Sequence, residues 1–474
     1  MPAENNQEKV RPAVLIVGGG LSGLLLGILL EKIDVPYHIF ERAKETRCLG
    51  GVMVIGANIL PVFEQIDLLD DVMNLSKIFE TTALYNVDMT ELANQNRIFL
   101  KEAPKLYELL LKQIPPNKFS LNKKVLRSEE KDGRAVIHCS DNTTYEGDIL
   151  VGADGAYSGV RQSLYKRLDK EGLLPRVDLE DFQIGYTFMV GVAEPKDPEK
   201  YPELKEPLAR LPIVVGGNSK IWSAVCTPDN QVCWTLSLQL PKKEAKSQQF
   251  RNSEWGPESN ESMIKEFQDY VCPLGGKMGD LIEDTPKDRI SKVFLEEKTF
   301  KTWYHGRTVL IGDAVHKMQP AGGLGAGNAF QDSAALCNFI YHMKDTSIES
   351  VTEAFKGYYA ERYHRALAHY DRSHTLSKVL LGQKLKEKVL RQIMYKYIPT
   401  SVFRRSAINS LDYCPTLAWL PPAKSTKSAF IHEQIRLQEA NKKNEEANKK
   451  NEEANKKNEE AIKKNEEAIK NEDQ

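Results

Sequence analysis

An apolar strand runs directly into a glycine turn and then into a leucine-rich helix: Val14-Leu15-Ile16-Val17-Gly18-Gly19-Gly20-Leu21-Ser22-Gly23, followed by Leu24-Leu25-Leu26-Gly27. The turn has G-x-G-x-x-G spacing, and Glu41 ends the next apolar run, Tyr37-His38-Ile39-Phe40. Each residue has a physical task. Gly18 permits the tight turn, Gly20 lets a pyrophosphate approach the backbone, and Gly23 allows the helix to pack close to the strand. The helix start offers free N–H groups and a partial positive charge to phosphates. Glu41 is placed to accept hydrogen bonds from an adenosine ribose, and Arg42 next to it is counted in the same site. Strand, turn, helix and acidic residue are in register, which commits the chain to a βαβ unit on a parallel sheet.

With 474 residues the chain is long enough for two or three domains. Its 65 Lys and Arg nearly cancel 66 Asp and Glu, leaving a net charge of −1 and no electrostatic case for nucleic acid. Seven scattered cysteines show no C-x-x-C and no clustering with His, which suits reduced structural thiols and no metal site. The run Val14–Leu30 is glycine-rich and shorter than the ~20 residues that cross a bilayer. The leader Met1–Arg11 has no net-basic region. The expectation is a cytoplasmic protein whose first apolar run is a βα unit.

Further along, Lys105–Pro115 reads as a helix with Leu106, Leu109, Leu110 and Ile114 on one face. Arg134–Cys139 and Asp148–Val151 read as strands. From about 181 to 290 the texture changes to an antiparallel β-meander: Phe182–Val192, Ile213–Gly217, Lys220–Cys226 and Gln231–Gln239, with turns at Gly216-Gly217-Asn218 and Pro228-Asp229-Asn230. Arg307–Ile311 then restores the α/β pattern, and residues from Ile348 to Tyr397 are helical. Within them Leu385, Val389, Ile393 and Tyr397 have the spacing of a core-facing stripe, which is favoured over membrane contact. Ala440, Ala447, Ala454, Ala461 and Ala468 mark a heptad repeat. Its seam is little more than Ala and Asn, so a solvated helix or frayed tail is expected before a coiled coil. The divisions are 1–180 and 291–365 for a nucleotide-binding domain, 181–290 for a substrate sheet, 366–430 for a helical region and 431–474 for the tail.

Two later motifs complete the pattern. Gly152-Ala153-Asp154-Gly155-Ala156-Tyr157-Ser158-Gly159-Val160-Arg161 breaks a strand into D-G-x-x-S-x-x-R, where Ser158 and Arg161, one helical turn apart, can tie the turn down. Val309-Leu310-Ile311-Gly312-Asp313-Ala314-Val315-His316 ends a strand in a carboxylate, and Pro320-Ala321-Gly322-Gly323-Leu324-Gly325-Ala326-Gly327-Asn328 lets backbone lie flat against a ring system. In this order and spacing, the three motifs resemble the single-component FAD-dependent aromatic hydroxylases, the flavoprotein monooxygenases of the para-hydroxybenzoate hydroxylase fold. The resemblance spans Val14 to Tyr341. It is closest to fungal members, through Arg251-Asn252-Ser253-Glu254-Trp255-Gly256 and Trp303-Tyr304-His305-Gly306-Arg307.

The resemblance implies an α/β fold: a Rossmann-like FAD-binding domain, an inserted antiparallel β-meander substrate domain and a helical C-terminal region. It makes Gly18, Gly20 and Gly23 the pyrophosphate turn and Glu41 the ribose ligand. Gly51 to Val54 would line the flavin side, Asp154 would serve FAD and NAD(P)H, and Asp313 would hold the ribityl chain and pyrophosphate. Gly323, Gly325, Ala326 and Asn328 would face the isoalloxazine carbonyls, with Pro320 beside the ring. Two positions depart from the family pattern: Ala103 stands where relatives carry an FAD-contacting Arg, and Lys317 where many have Pro. His316 is read as a structural group before a proton shuttle, and Trp222, Trp234 and Trp255 as sheet packing before a substrate cage. No catalytic residue is singled out.

The implied activity is NAD(P)H-consuming monooxygenation through a flavin C4a-hydroperoxide, acting with O2 on an aromatic or terpenoid-like polycyclic substrate. Tyr186 and Phe188, with Trp222 and Trp234, suggest the apolar ligand. The alternative is a non-oxygenating flavin reductase or a degenerate FAD-fold scaffold. A monomer or homodimer is compatible with either.

Overall fold

The computed structural model describes residues 11–46, 53–56, 58–102, 105–217, 220–240, 260–381, 385–397, 402 and 413–423. Val14–Val17 lies between Tyr37–Phe40 and Ile149–Gly152, parallel to both, and Thr308–Leu310 adds in parallel beyond the latter. Short edge strands, Phe119–Ser120 and Tyr304–His305, complete a six-stranded sheet. Every residue of Val14–Val17 and of Ile149–Gly152 is buried, as continuous apolar runs should be when helices cover both faces of a parallel sheet. The helix Leu21–Lys32 is buried from Ser22 to Leu30 because it lies between that sheet and the helix Gly325–Tyr341. This explains why its apolar residues surround the axis and form no single stripe.

The second sheet runs His316–Lys317, Ile290–Thr299, Gln183–Ala193, Gln231–Gln239, Lys220–Thr227, Leu208–Val215, Lys77–Tyr85, Glu91–Glu102, Val54–Ile55. The meander is present at the expected places. Strand membership nevertheless crosses the division drawn at residue 180, because Lys77–Tyr85 pairs in parallel with Leu208–Val215 and antiparallel with Glu91–Glu102. Those two strands are threonine-, asparagine- and charge-rich and lack the alternation that marks the meander.

Alternation along the strands gives this sheet two different faces. On one, Met189, Trp222, Trp234 and Leu236 pack beneath the helices Glu261–Phe267 and Met278–Glu283. Trp222 donates its indole N–H to the Val271 carbonyl (2.9 Å) and Trp234 to Thr285 Oγ1 (2.8 Å), so both are core residues with satisfied polar ends. Gly191 is glycine because any Cβ there would overlap the Trp234 ring. Trp255 lies outside the described residues. Trp234→Phe should cost about 2–4 kcal/mol, one hydrogen bond plus the cavity left by the smaller ring at a fully buried position, measured by denaturant unfolding. The opposite face carries Tyr186, Phe188, Val190, Thr235 and Ser237.

The helix Ile348–Leu381 is followed by Leu385–Tyr397. Here the expected core-facing stripe is corrected. Val389, Leu390, Ile393 and Tyr397 are exposed, because helical periodicity defines an apolar face without supplying an element to cover it. No helix among the described residues is long and apolar enough to cross a membrane. The side chain of Leu385 and the repeat at 431–474 lie outside the described residues.

Candidate functional site

The three glycine-containing motifs are brought together at the carboxyl ends of the parallel strands, where ligands bind in open α/β sheets. Gly18 has φ +109, and a Cβ on it would overlap the Ala153 carbonyl, so the first turn lies directly on the second. A Cβ on Gly23 would overlap the Gly18 carbonyl, the close helix–strand approach its position implied. Gly312 has φ +62, and its Cβ would come 3.1 Å from Ser22 Oγ, while Ser333 Oγ donates to the Ser22 carbonyl at 2.8 Å. The third motif thus packs on the first helix.

Glu41 closes the first turn. Its Oε2 accepts the Gly19 N–H (2.8 Å) and its Oε1 the Ala43 N–H (2.9 Å), which fixes the carboxylate at the strand end with lone pairs remaining. Arg42 is exposed beside it. Asp154 Oδ2 accepts N–H groups from Gly159 (2.7 Å) and Val160 (3.2 Å), so this carboxylate faces the start of the helix Gly159–Lys170. Burial pushes its pKa up, and Oδ1 has no hydrogen-bond partner among the described residues. Ser158 and Arg161 do tie the turn down. Ser158 Oγ accepts the Arg161 N–H (2.9 Å), and the guanidinium donates to the carbonyls of Ala156 and Ala314, each at 2.7 Å. Arg161 therefore braces the second motif against the third, a role legible only once both turns are adjacent.

Asp313 is about one-third exposed, and its Oδ2 is 2.5 Å from the Lys317 ammonium. The Asp313 charge holds the Lys317 pKa above its ordinary value. The residue that departs from the family pattern is therefore a counter-ion for a proposed cofactor ligand, and among the described residues it pairs with Oδ2 alone. His316 is fully buried and donates from Nε2 to Asp332 Oδ2 (2.6 Å), so it is structural. Asp332 also accepts the Gly312 N–H (2.9 Å) and Arg362 Nε (2.8 Å). Burial works to raise the Asp332 carboxyl, and the neighbouring His316 and Arg362 more than reverse it, holding it below the usual carboxylate range. Isolated Asp332 within an apolar helix was the one sequence signal for this network.

The glycine loop packs where a flavin ring is expected. Gly323 has φ +63 and would place a Cβ 3.1 Å from Val54, so the loop and the Val54 strand face one another. Pro320 is exposed, and Gly325 and Ala326 are partly buried at the start of the helix Gly325–Tyr341. Asn328 requires a correction. Its Nδ2 donates to the Leu324 carbonyl, and its Oδ1 accepts from Arg362 Nη2 (2.9 Å) and meets His369 Nδ1 (3.0 Å). Its side chain is saturated inside the helical layer, so a ring contact would not come from it. Gly51, Ala103 and the run from Arg251 to Gly256 lie outside the described residues.

These residues fit FAD. A Cβ built on Gly20 or on Gly325 would meet nothing within 4 Å, so backbone N–H groups at two helix starts border open space suited to phosphate or a ring carbonyl. Glu41 and Asp313 offer carboxylate oxygens for sugar-like hydroxyls. Glu41→Ala and Asp313→Ala should each weaken FAD binding about ten- to a hundredfold, the loss of one charge-assisted bond, read by flavin fluorescence on titration. Among the described residues no group of His, Cys, Asp and Glu side chains is placed to hold a metal ion.

Comparison with known proteins shows the family of the chain. The FAD binding domain family matches residues 11–179 and 209–373. The chain is 27% identical over 418 residues to the FAD-dependent monooxygenase olcE of Penicillium canescens, covering 82% of this chain and 84% of that one. It is 28% identical to the FAD-dependent monooxygenase paxM of Penicillium paxilli, covering 82% of each. In fold it is similar to Klebsiella pneumoniae HpxO, solved with FAD and uric acid, at a TM-score of 0.70 and 16% identity, covering 87% of this chain and 100% of HpxO. The chain belongs to the FAD binding domain family, as a member of the fungal FAD-dependent aromatic-hydroxylase type that its three motifs resemble.

Proposed function

We propose that this FAD-dependent monooxygenase consumes NAD(P)H and inserts one oxygen atom from O2 into an aromatic or polycyclic apolar substrate. One observation supports the reading: the glycine loop is fastened to the second sheet at the strand that pairs with Tyr186. Gln319 Nε2 donates to the Leu295 carbonyl (3.3 Å), and Leu295 is paired directly with Tyr186. The surface bearing Tyr186 and Phe188 is thus next to the loop that would hold the flavin. Trp222 and Trp234 belong to the other face and drop out of the ligand site.

When bound, FAD supplies reduction by NAD(P)H, reaction with O2 at C4a and delivery of one oxygen atom. The chain's own work is positional. Gly18, Gly20 and Gly23 would take the pyrophosphate, Glu41 the adenosine ribose, and Asp313 the ribityl hydroxyls. Val54, Gly323, Gly325 and Ala326 would flank the ring, and Asp154, beside Gly18, stands with the nucleotide groups. Tyr186, Phe188 and Val190 would help to exclude water from the reacting atoms. The sequence contains no second G-x-G-x-x-G, so NAD(P)H would visit the flavin without a nucleotide domain of its own.

The test is a visible spectrum of purified protein followed by NADPH oxidation with an oxygen electrode. A yellow protein whose NADPH oxidation rises with substrate and is matched by O2 uptake supports the proposal. Colourless protein would point to a scaffold, and NADPH oxidation without O2 uptake to a reductase.

A further inference from the structure

The strand Ile290–Thr299 carries two adjacent buried carboxyls that alternation sends to opposite faces. Glu296 accepts the Tyr157 hydroxyl. Glu297 shares the face of Leu295 and Tyr186, and its side chain is only 7% exposed. Its Oε1 is 2.5 Å from His374 Nδ1, while Oε2 is buried without a hydrogen-bond partner among the described residues. A buried, half-satisfied carboxylate costs stability and is rare without a role.

His374 is the accessible end of the pair, with 29% of its side chain exposed. It lies on the helix Ile348–Leu381 in a stripe with Tyr370 and Lys378, one turn to either side. The Tyr370 ring lies parallel to the imidazole, with centroids 6.2 Å apart and planes 9° from parallel. The preceding residue, Ser373, donates to the Gln319 carbonyl, and a Cβ on Gly322 would come 3.3 Å from Ser373 Oγ. The helical turn that carries His374 therefore stands against the loop proposed to hold the flavin.

With Glu297 ionised, Nδ1–H donates to the carboxylate and Nε2 of the neutral ring is left as the acceptor. The charged and titratable groups facing this pair are Tyr370 and Lys378 from the same helix and Tyr186 from the neighbouring strand; Glu387 and Arg391 of the next helix act on Tyr186. Burial, with nearby acidic groups, pushes the Tyr186 and Tyr370 hydroxyls up to about 12, so neither serves as a base near neutrality. Burial also raises the Glu297 carboxyl against the opposing charges of His374 and Lys378.

We infer that His374, oriented by Glu297, receives the polar end of the substrate: its Nε2 accepts a hydrogen bond from an acidic phenolic or enolic hydroxyl and takes the proton. The substrate O–H bond breaks, an N–H bond forms at Nε2, and the electron pair stays on the substrate oxygen. The imidazolium so formed is paired with the Glu297 carboxylate, and no oxidant is needed. Resting on the monooxygenase reading, this narrows the substrate to apolar molecules with an ionisable hydroxyl at one end. His374 is then a catalytic residue and Glu297 a positioning residue.

4-Nitrophenol is a suitable probe because its phenolate absorbs visible light and its neutral form does not. In wild-type holoenzyme the bound probe should ionise about 1–3 pH units lower than in solution, the effect of an adjacent cation. His374→Gln should abolish that shift, Glu297→Gln should reduce it, and free imidazole should restore it to His374→Ala. Flavin content and oxygen uptake are followed in the same samples. Protein lacking flavin and substrate-dependent oxygen uptake would refute the monooxygenase reading. Flavin-replete, oxygen-consuming wild type that fails to bind the probe, or binds it without the shift, overturns the inference alone. So does a His374→Gln protein that matches the parent. If His374→Gln loses flavin, the wild-type titration and the imidazole arm decide the matter.

Discussion

Asp332→Ala is expected to lower stability by about 3–5 kcal/mol, because it leaves a buried Arg362 without its anion. Both Asp332 and Arg362 are fully buried, and Asp332 also holds His316 and the Gly312 N–H. Removing it unpins the turn that carries Asp313 as well as uncovering a charge. Thermal unfolding should fall by about 3–5 °C, since a chain of 474 residues loses about 1 kcal/mol of stability per degree near its midpoint, and flavin retention should fall with it. The pH dependence has a definite sign. The carboxyl is held below its ordinary value in the folded state. Its stabilisation is therefore present above the unfolded value of about 3.9 and is lost as pH falls through the lower folded value. Acid unfolding of Asp332→Ala should accordingly show a weaker pH dependence in that window than the parent. An unchanged midpoint would show that the network does not hold the turn.

Gly18→Ala should be nearly as damaging and more selective for the cofactor. At φ +109 an alanine is strained, and its methyl would overlap the Ala153 carbonyl, which is backbone and cannot rotate away. Strain of this kind costs about 1–3 kcal/mol, and overpacking adds about 1–3 kcal/mol. Relief requires the first and second motifs to separate, and the phosphate turn goes with them. FAD binding should weaken by at least about a hundredfold, equivalent to ~2.7 kcal/mol. Gly20→Ala separates fold from cofactor: a methyl there meets nothing within 4 Å, so it should leave stability unchanged while weakening FAD through an approaching phosphate. Equal FAD dissociation constants for Gly18→Ala and wild type would remove the turn from the cofactor site.

What could be read in the sequence was whatever local backbone demands encode. Glycine spacing at Gly18, Gly20 and Gly23, the turn at Asp154 and the loop after Pro320 specify conformations few residues adopt, so their positions announced them. Ser158 and Arg161 were legible for the same reason, one helical turn apart. Contacts between distant segments were not. Asp332 and Arg362 are 30 residues apart, and nothing in either neighbourhood names the other. Asn328 lies within the glycine loop by sequence, yet Arg362 and His369 draw its side chain inward. The strands Lys77–Tyr85 and Glu91–Glu102 went unseen because a sheet surface without alternation leaves no period to detect. Periodicity at Val389, Ile393 and Tyr397 showed an apolar face but not whether anything covers it. Trp222 and Trp234 illustrate the general limit: composition put aromatics on the meander, and only strand register assigned them to the core side.

In the proposed function an atom of O2 enters an organic substrate at the Tyr186 face, beside the loop fastened to Leu295. Turnover of the holoenzyme with NADPH under heavy-isotope oxygen gas, against phenols, indoles and terpenoids, tests it most directly by product mass. The product should carry one heavy oxygen atom from the gas and none from labelled water. Oxygen consumption that ends wholly in hydrogen peroxide across the panel, or a product whose new oxygen comes from water, would contradict it.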